Sequence, residues 1–248
     1  MTTAQATAQE YAARLERTLP ELRERVRRVA EGAGRDPASV RIVAVTKSHP
    51  LDAVDAALAA GLHDLGENRV EELEEKRAAR PDAPATWHLI GHVQSRKARR
   101  AAELADLVHS VDSLRLAEKL AQAGAEAFGP GAQEGREVAV LAQVNTSGEG
   151  SKGGFALEGA VEAIHEVAEL PGLRVRGLMT MAPFVDDERV LRAAFASLRE
   201  TGERLRRVTD RVGRELSMGM TNDLDVAIRE GSTMIRIGTA LFGERPQP

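Results

Sequence analysis

Cysteine is absent from this 248-residue chain, which excludes disulfide scaffolds, thiolate metal sites and cysteine nucleophiles and points to a reducing compartment. Aromatic residues make up only 3%, with Trp87 and Tyr11 each the single one of its kind, so a base-stacking nucleic-acid platform has little to build on. No run approaches the roughly 18 apolar residues of a membrane span. Residues 1–20 carry acidic side chains and no apolar stretch, so no secretory signal is expected and the cytoplasm is the expected compartment. A formal net charge of −4 gives no bulk attraction toward nucleic acid or an anionic membrane, so any anion site must be local.

Lysine is scarce as well. It stands only at Lys47, Lys76, Lys97, Lys119 and Lys152, and arginine supplies the other 29 of the 34 basic residues. A retained lysine then marks a place where chemistry can require an amine that loses its proton, which arginine cannot supply. Lys76, Lys97 and Lys119 fall among charged neighbours in helical segments and read as solvated. Lys47 and Lys152 stand just beyond strands.

Tyr11, Leu15, Leu19, Leu22, Val26 and Val29 recur at steps of three and four, an amphipathic helical stripe in which Pro20 is expected to make a break or restart. From 41 onward short apolar strands alternate with helical patterns. Strands are expected at 41–46, 63–66, 86–91, 107–112, 137–145, 173–180, 215–218 and 233–238, with a glycine-rich connection at 129–135. Eight strands with helical crossovers read as an α/β (β/α)8 barrel with an added helical segment over 1–38, all one domain. An open doubly wound sheet is the rival. In both, ligands gather at the carboxyl ends of the strands.

Lys47, in AVTKSHP, follows the first strand, where a desolvated amine can be tuned to attack a carbonyl; a solvated loop lysine is the plain alternative. Two late segments, 216–228 and 231–243, run from a strand into small residues and then a helix or turn, an arrangement that offers backbone N–H groups to an anion. Ser217, Gly219, Gly238 and Thr239 would serve there, although turn formation and capping explain the same residues, and Asp223 and Asp225 count mildly against an anion. Lys152 lies in a glycine-rich loop, 144–154, long enough to reach over a ligand. His88 and His92 are four apart across a strand end, so they do not align as helical metal ligands; no metal site is expected. The basic run QSRKARR reads as local solvation rather than a nucleic-acid contact.

Taken in order, AVTKSHP, GLHDLGENRVEE, WHLIGHVQSRK, VNTSGEGSKGG, RGLMTMAPF, LSMGMTNDLDVAI and GSTMIRIGTALFG resemble the pyridoxal phosphate homeostasis protein family, relatives of the alanine racemase N-terminal domain, over about residues 10–243. The resemblance implies a fold-type III barrel holding pyridoxal 5′-phosphate (PLP) as an internal aldimine on Lys47, its phosphate on Ser217, Gly219, Gly238 and Thr239. It further implies Arg236 beside the pyridine nitrogen, Asn68 and His88 near the ring, Met218 or Met220 packed against it, and a secondary contact from Lys152. His49 and Thr221 depart locally from the family pattern.

An always-cationic arginine at the pyridine nitrogen disfavours protonating it and weakens the ring as an electron sink. Racemases related to this family take a second base from a tyrosine in an additional domain; here the single tyrosine is Tyr11 and no such domain is expected. The resemblance therefore implies a non-enzymatic PLP carrier in vitamin B6 homeostasis, monomeric, passing PLP to PLP-requiring apoenzymes in transient contacts. A slow PLP-dependent amino-acid racemase, or another slow PLP enzyme, is the alternative.

Overall fold

The computed structural model describes residues 7–128, 137–150 and 152–244; the connection expected at 129–135 lies outside them. The strands are β1 (Arg41–Val45), β2 (Asp64–Glu67), β3 (Thr86–Leu89), β4 (Leu107–Val111), β5 (Val138–Asn145), β6 (Phe155–Ala156), β7 (Leu173–Met179), β8 (Val212–Ser217) and β9 (Met234–Ile237). All pair in parallel. The order β4-β3-β2-β1-β9-β8-β7-β5 closes through β4–β5, giving an eight-stranded barrel with the two-residue β6 on the edge of β5. That closure rules out the open doubly wound sheet.

The helices are α1 (Ala8–Gly32), α2 (Leu51–Ala59), α3 (Val70–Ala79), α4 (Ala98–Leu104), α5 (Leu114–Phe128), α6 (Ala160–Ala168), α7 (Glu188–Val208), α8 (Leu224–Arg229) and α9 (Thr239–Phe242). Those joining one strand to the next supply the crossovers that parallel pairing requires. None of the described helices is long and apolar enough to cross a membrane.

α1 corrects one expectation: it runs unbroken through Pro20. The proline removes the hydrogen bond to the Glu16 carbonyl and costs about 3 kcal/mol in a helix interior. Against that, Tyr11, Leu15, Leu19, Leu22, Val26 and Val29 are all buried, at roughly 1.5–3 kcal/mol each. Packing against α2, α8 and α9 therefore overrides the local defect. A capping box, Thr7 with Glu10, starts the helix.

Two cores result from the two faces of the strands. The large one fills the space between barrel and helices. The inner one holds just Val43, Leu107, Leu141, Met179 and Met234 as fully apolar members. Polar side chains share the lumen with it: His88, His109, Ser217 and Arg236 are all buried. Because successive residues alternate faces, β1 sends Arg41, Val43, Val45 and then Lys47 toward the axis, from the lower mouth to the upper one.

Candidate functional site

A cavity of about 940 Å³ opens at the carboxyl ends of the strands, with every strand of the closed barrel or the loop after it contributing to its wall. It is in the size range of small-molecule sites.

Lys47 enters at the end of β1. Its Nζ donates to Asn68 Oδ1 at 3.3 Å. The backbone turns sharply at the next residue, Ser48, which holds φ 62°, a left-handed conformation uncommon outside glycine. Asn68 is brought close by Gly91: a Cβ there would stand 2.2 Å from the Asn68 carbonyl oxygen. Only glycine admits that approach.

What holds Lys47 in register is a buried ionic cluster. Lys76 Nζ donates to the Thr46 carbonyl at 2.7 Å, to Glu67 Oε1 at 2.9 Å and to Glu72 Oε1 at 3.0 Å. Glu67 Oε1 also accepts from Thr46 Oγ1 at 2.5 Å, and Glu72 Oε1 from Ser48 N at 2.5 Å. The residues on both sides of Lys47 are thus clamped by one cation and two carboxylates. Burial pushes the Glu67 carboxyl up to about 6, against the opposing pull of Lys76 and Thr46.

This corrects the reading of Lys76 as a solvated residue: it is 5% exposed. It lies three residues past Leu73 and six past Val70, on the same buried stripe of α3, so the signal was its position on the helix rather than its charged neighbours. Lys119 is exposed, and Lys97 pairs with Glu71 at 2.5 Å. Around it the basic run is neutralised locally: Arg99 and Arg100 pair with Glu103, and Arg100 with Glu74 as well.

Arg236 enters from β9, the strand paired with β1. Its guanidinium donates to Ser217 O at 2.8 Å, Ser217 Oγ at 2.7 Å and Thr180 O at 3.0 Å. These are neutral acceptors, and among the described residues no carboxylate lies within ion-pair distance. Burial pulls its pKa down to about 10, partly offset by Asp223, so it remains a cation at neutral pH. Gly238 and Thr239 follow it, and Thr221 and Asn222 line the adjacent wall.

The two aspartates that weighed against an anion are accounted for. Asp225 is tied to Arg25 at 2.7 Å. Asp223 accepts from Met220 N at 2.5 Å, and burial raises its pKa despite that bond and the nearby Arg236. The net lining is cationic, through Lys47, Lys152 and Arg236. Lys152 Nζ donates to Ala182 O at 2.9 Å and to Glu149 at 3.2 Å, which holds the 144–154 loop against the segment after β7.

Of the residues expected at the site, Lys47, Asn68, Lys152, Met220, Arg236, Gly238 and Thr239 share the cavity wall. His88, Ser217, Gly219 and Met218 are not part of it. His88 and Ser217 lie deeper in the lumen, with their polar atoms committed to Asp64 and His109 and to His109 and Arg236, respectively. Met218 is fully buried in the outer core. Gly219 (φ 96°) packs so closely that a Cβ would meet Ala227 Cβ at 2.6 Å; it lets the loop turn. Thr221 and Asn222, in that same loop, were missed as wall residues, as was His49, whose Nδ1 shares a 2.9 Å hydrogen bond with the Tyr11 hydroxyl.

An amine, a buried guanidinium and a small-residue turn on the wall of one cavity suit a ligand with an electrophilic carbon and an anionic group. The family model for the alanine racemase N-terminal domain matches residues 18–246. A protein of Pseudomonas aeruginosa called pyridoxal phosphate homeostasis protein is 45% identical over 221 residues, covering 89% of this chain and 91% of that one. This chain belongs to the pyridoxal phosphate homeostasis protein family. Its Escherichia coli member is 37% identical over 238 residues, covering 92% and 95%. Among solved structures, PipY of Synechococcus elongatus with PLP bound superposes with a TM-score of 0.75 at 37% identity, covering 88% of this chain and all of that one. Alanine racemase from Corynebacterium glutamicum shares the fold alone, at 14% identity with a TM-score of 0.66, covering 91% of this chain and 61% of the enzyme.

Proposed function

We propose that the upper cavity binds PLP and that the chain serves intracellular vitamin B6 homeostasis as a PLP carrier. The observation that carries this is the meeting of Lys47 with Arg236, Gly238 and Thr239 around one cavity at the strand ends, in a family whose PipY member has been solved with PLP bound. The residues fit the group: the small Gly238–Thr239 turn suits the phosphate, and Arg236 suits the pyridine nitrogen. When bound, PLP would supply an electrophilic aldehyde carbon, and Lys47 is the amine on the cavity wall that would hold it. Asn68 orients the Lys47 amine. The Lys76 clamp holds the backbone on either side of it. Arg236, still cationic at neutral pH, keeps the ring nitrogen unprotonated, which favours holding PLP over carbanion chemistry. We take the carrier to be a cytoplasmic monomer, folded as one domain, that releases PLP to PLP-requiring apoenzymes in transient contacts.

Borohydride treatment of PLP-loaded protein followed by peptide mass spectrometry tests the site. A phosphopyridoxyl adduct on Lys47 is expected, and its loss in Lys47→Ala; an undiminished adduct elsewhere in that variant refutes the assignment.

One observation favours the second possibility, slow racemisation: the Tyr11 hydroxyl reaches a cavity residue, His49. Tyr11 is itself 3% exposed, its hydroxyl is engaged, and burial raises its pKa, all of which disfavour it as a base. Chiral chromatography after incubation with alanine or serine decides the matter: no inversion is expected, and multiple turnovers would overturn the carrier assignment.

A further inference from the structure

Below the cavity a single hydrogen-bonded chain crosses the barrel lumen. Arg236 Nη1 lies 2.7 Å from Ser217 Oγ, Ser217 Oγ lies 2.9 Å from His109 Nδ1, His109 Nε2 lies 2.8 Å from His88 Nδ1, and His88 Nε2 lies 2.9 Å from Asp64 Oδ1. His88, His109 and Ser217 are completely or almost completely buried. Only Asp64 reaches the lower mouth, where Arg41 lies 3.6 Å away.

Proton counting gives this chain a direction. Arginine has donors only, and an ionised aspartate has acceptors only. Starting at Arg236, Ser217 Oγ accepts and passes its own proton to His109 Nδ1. His109 then donates from Nε2 to His88 Nδ1, and His88 donates from Nε2 to Asp64. Every donor finds an acceptor, with both rings neutral and both carrying the proton on Nε2. The reverse direction requires a doubly protonated His88 and leaves the Ser217 hydroxyl proton without an acceptor.

We propose that Asp64, His88, His109 and Ser217 form a polarised wire that orients Arg236 and gives this buried cation its counter-charge from the opposite mouth of the barrel. The part played by Arg236 toward PLP rests on the function proposed above; the wire does not. Three features agree with it. Among the described residues, no carboxylate contacts Arg236. Burial, with the Arg236 and Arg41 charges, holds His109 well below its ordinary pKa, hence neutral. Asp64 is held below the usual carboxylate range: burial raises it, but His88, Arg41 and His63 outweigh that. The carboxylate that acts on Arg236 directly is Asp223, on the cavity side; Asp64 acts on it only through the wire. Asp64, His88 and His109 are thus positioning residues acting through Ser217.

The test uses the PLP-free full-length chain. In protein labelled with 15N-histidine, long-range 1H–15N spectra near neutral pH should show His88 and His109 both as Nε2–H tautomers; a Nδ1–H or doubly protonated His109 overturns the wire. Asp64→Asn should shift the His109 resonances and speed exchange of the Arg236 guanidinium hydrogens by about tenfold, the worth of one charge-assisted hydrogen bond. Ser217→Ala cuts the wire next to Arg236, so in that background Asp64→Asn should leave the exchange unchanged. A persistent effect means that the charge acts through space, and the proposal fails. Failure of PLP to bind, with the tautomers and the coupling as stated, would refute the PLP carrier and support the wire on its own.

Discussion

Lys76→Met removes the cation at the centre of the clamp and keeps a side chain of similar length. Lys76 is buried, donates three hydrogen bonds, and separates two carboxylates whose Oε1 atoms lie 2.9 and 3.0 Å from its nitrogen. Deleting one partner of a buried ionic group costs about 3–5 kcal/mol, because the remaining charges are left unpaired. The cost should depend on pH. With Lys76 present, the Glu67 carboxyl already titrates at about 6 against an ordinary 4.5. A folded-state pKa above the unfolded value means that the folded protein binds more protons, so this carboxyl's contribution is full below 4.5 and is lost as pH rises through about 6. Without Lys76 the Glu67 pKa climbs further, and the window of loss extends upward at about 1.4 kcal/mol per pH unit. The destabilisation by Lys76→Met should therefore be smaller near pH 5.5 than near pH 8. Urea unfolding of PLP-free protein at the two pH values, with m-values compared, reads this directly. A loss under about 1 kcal/mol, or one equal at both pH values, would refute the clamp as a buried ionic cluster.

Gly91→Ala drives a Cβ to within 2.2 Å of the Asn68 carbonyl oxygen, so the backbone beneath Asn68 must move. A loss of about 1–3 kcal/mol is expected from such overpacking, together with weaker PLP binding in a spectroscopic titration; unchanged stability and affinity would contradict the close approach. Pro20→Ala restores a hydrogen bond on an exposed face of a continuous α1. The gain, about 3 kcal/mol less the entropy that proline removes from the unfolded chain, should raise the melting temperature by about 4–8 °C. No rise would mean that the helix is broken at Pro20 in solution.

Much of the architecture was legible because parallel strands buried on both faces leave short apolar runs, and the helices between them end at glycine or before proline. All eight barrel strands fall within a few residues of expectation. Pro20 was misleading because its penalty is local, whereas the burial that overrides it is contributed by α2, α8 and α9, distant in sequence. β6 was missed because two residues carry no periodicity, and the short 3₁₀ turn at Ser95–Lys97 because it looks like the first turn of α4.

The site was legible only in part, for a different physical reason. Strand ends can be found along the chain, so Lys47, Gly238 and Thr239 emerge from where strands stop, whereas Asn68 and Arg236 enter only through the family resemblance. Depth along the barrel axis cannot be found that way, because it depends on register between strands. Ser217 and Gly219 stand two residues apart at the end of β8, yet Ser217 is tied to His109 below the cavity while Gly219 shapes the loop above. His88 pairs in register with Gly66 of β2, level with the middle of that strand, which explains why it meets Asp64 and His109 rather than the cavity. A signal was nevertheless present in the alternation itself. Asp64, His88, His109, Ser217 and Arg236 interrupt apolar strands at lumen-facing positions, and a buried polar group without a partner is costly. Polar interruptions on five strands of one closed barrel must find partners inside the lumen, so the alternation implies a polar network before any distance is known.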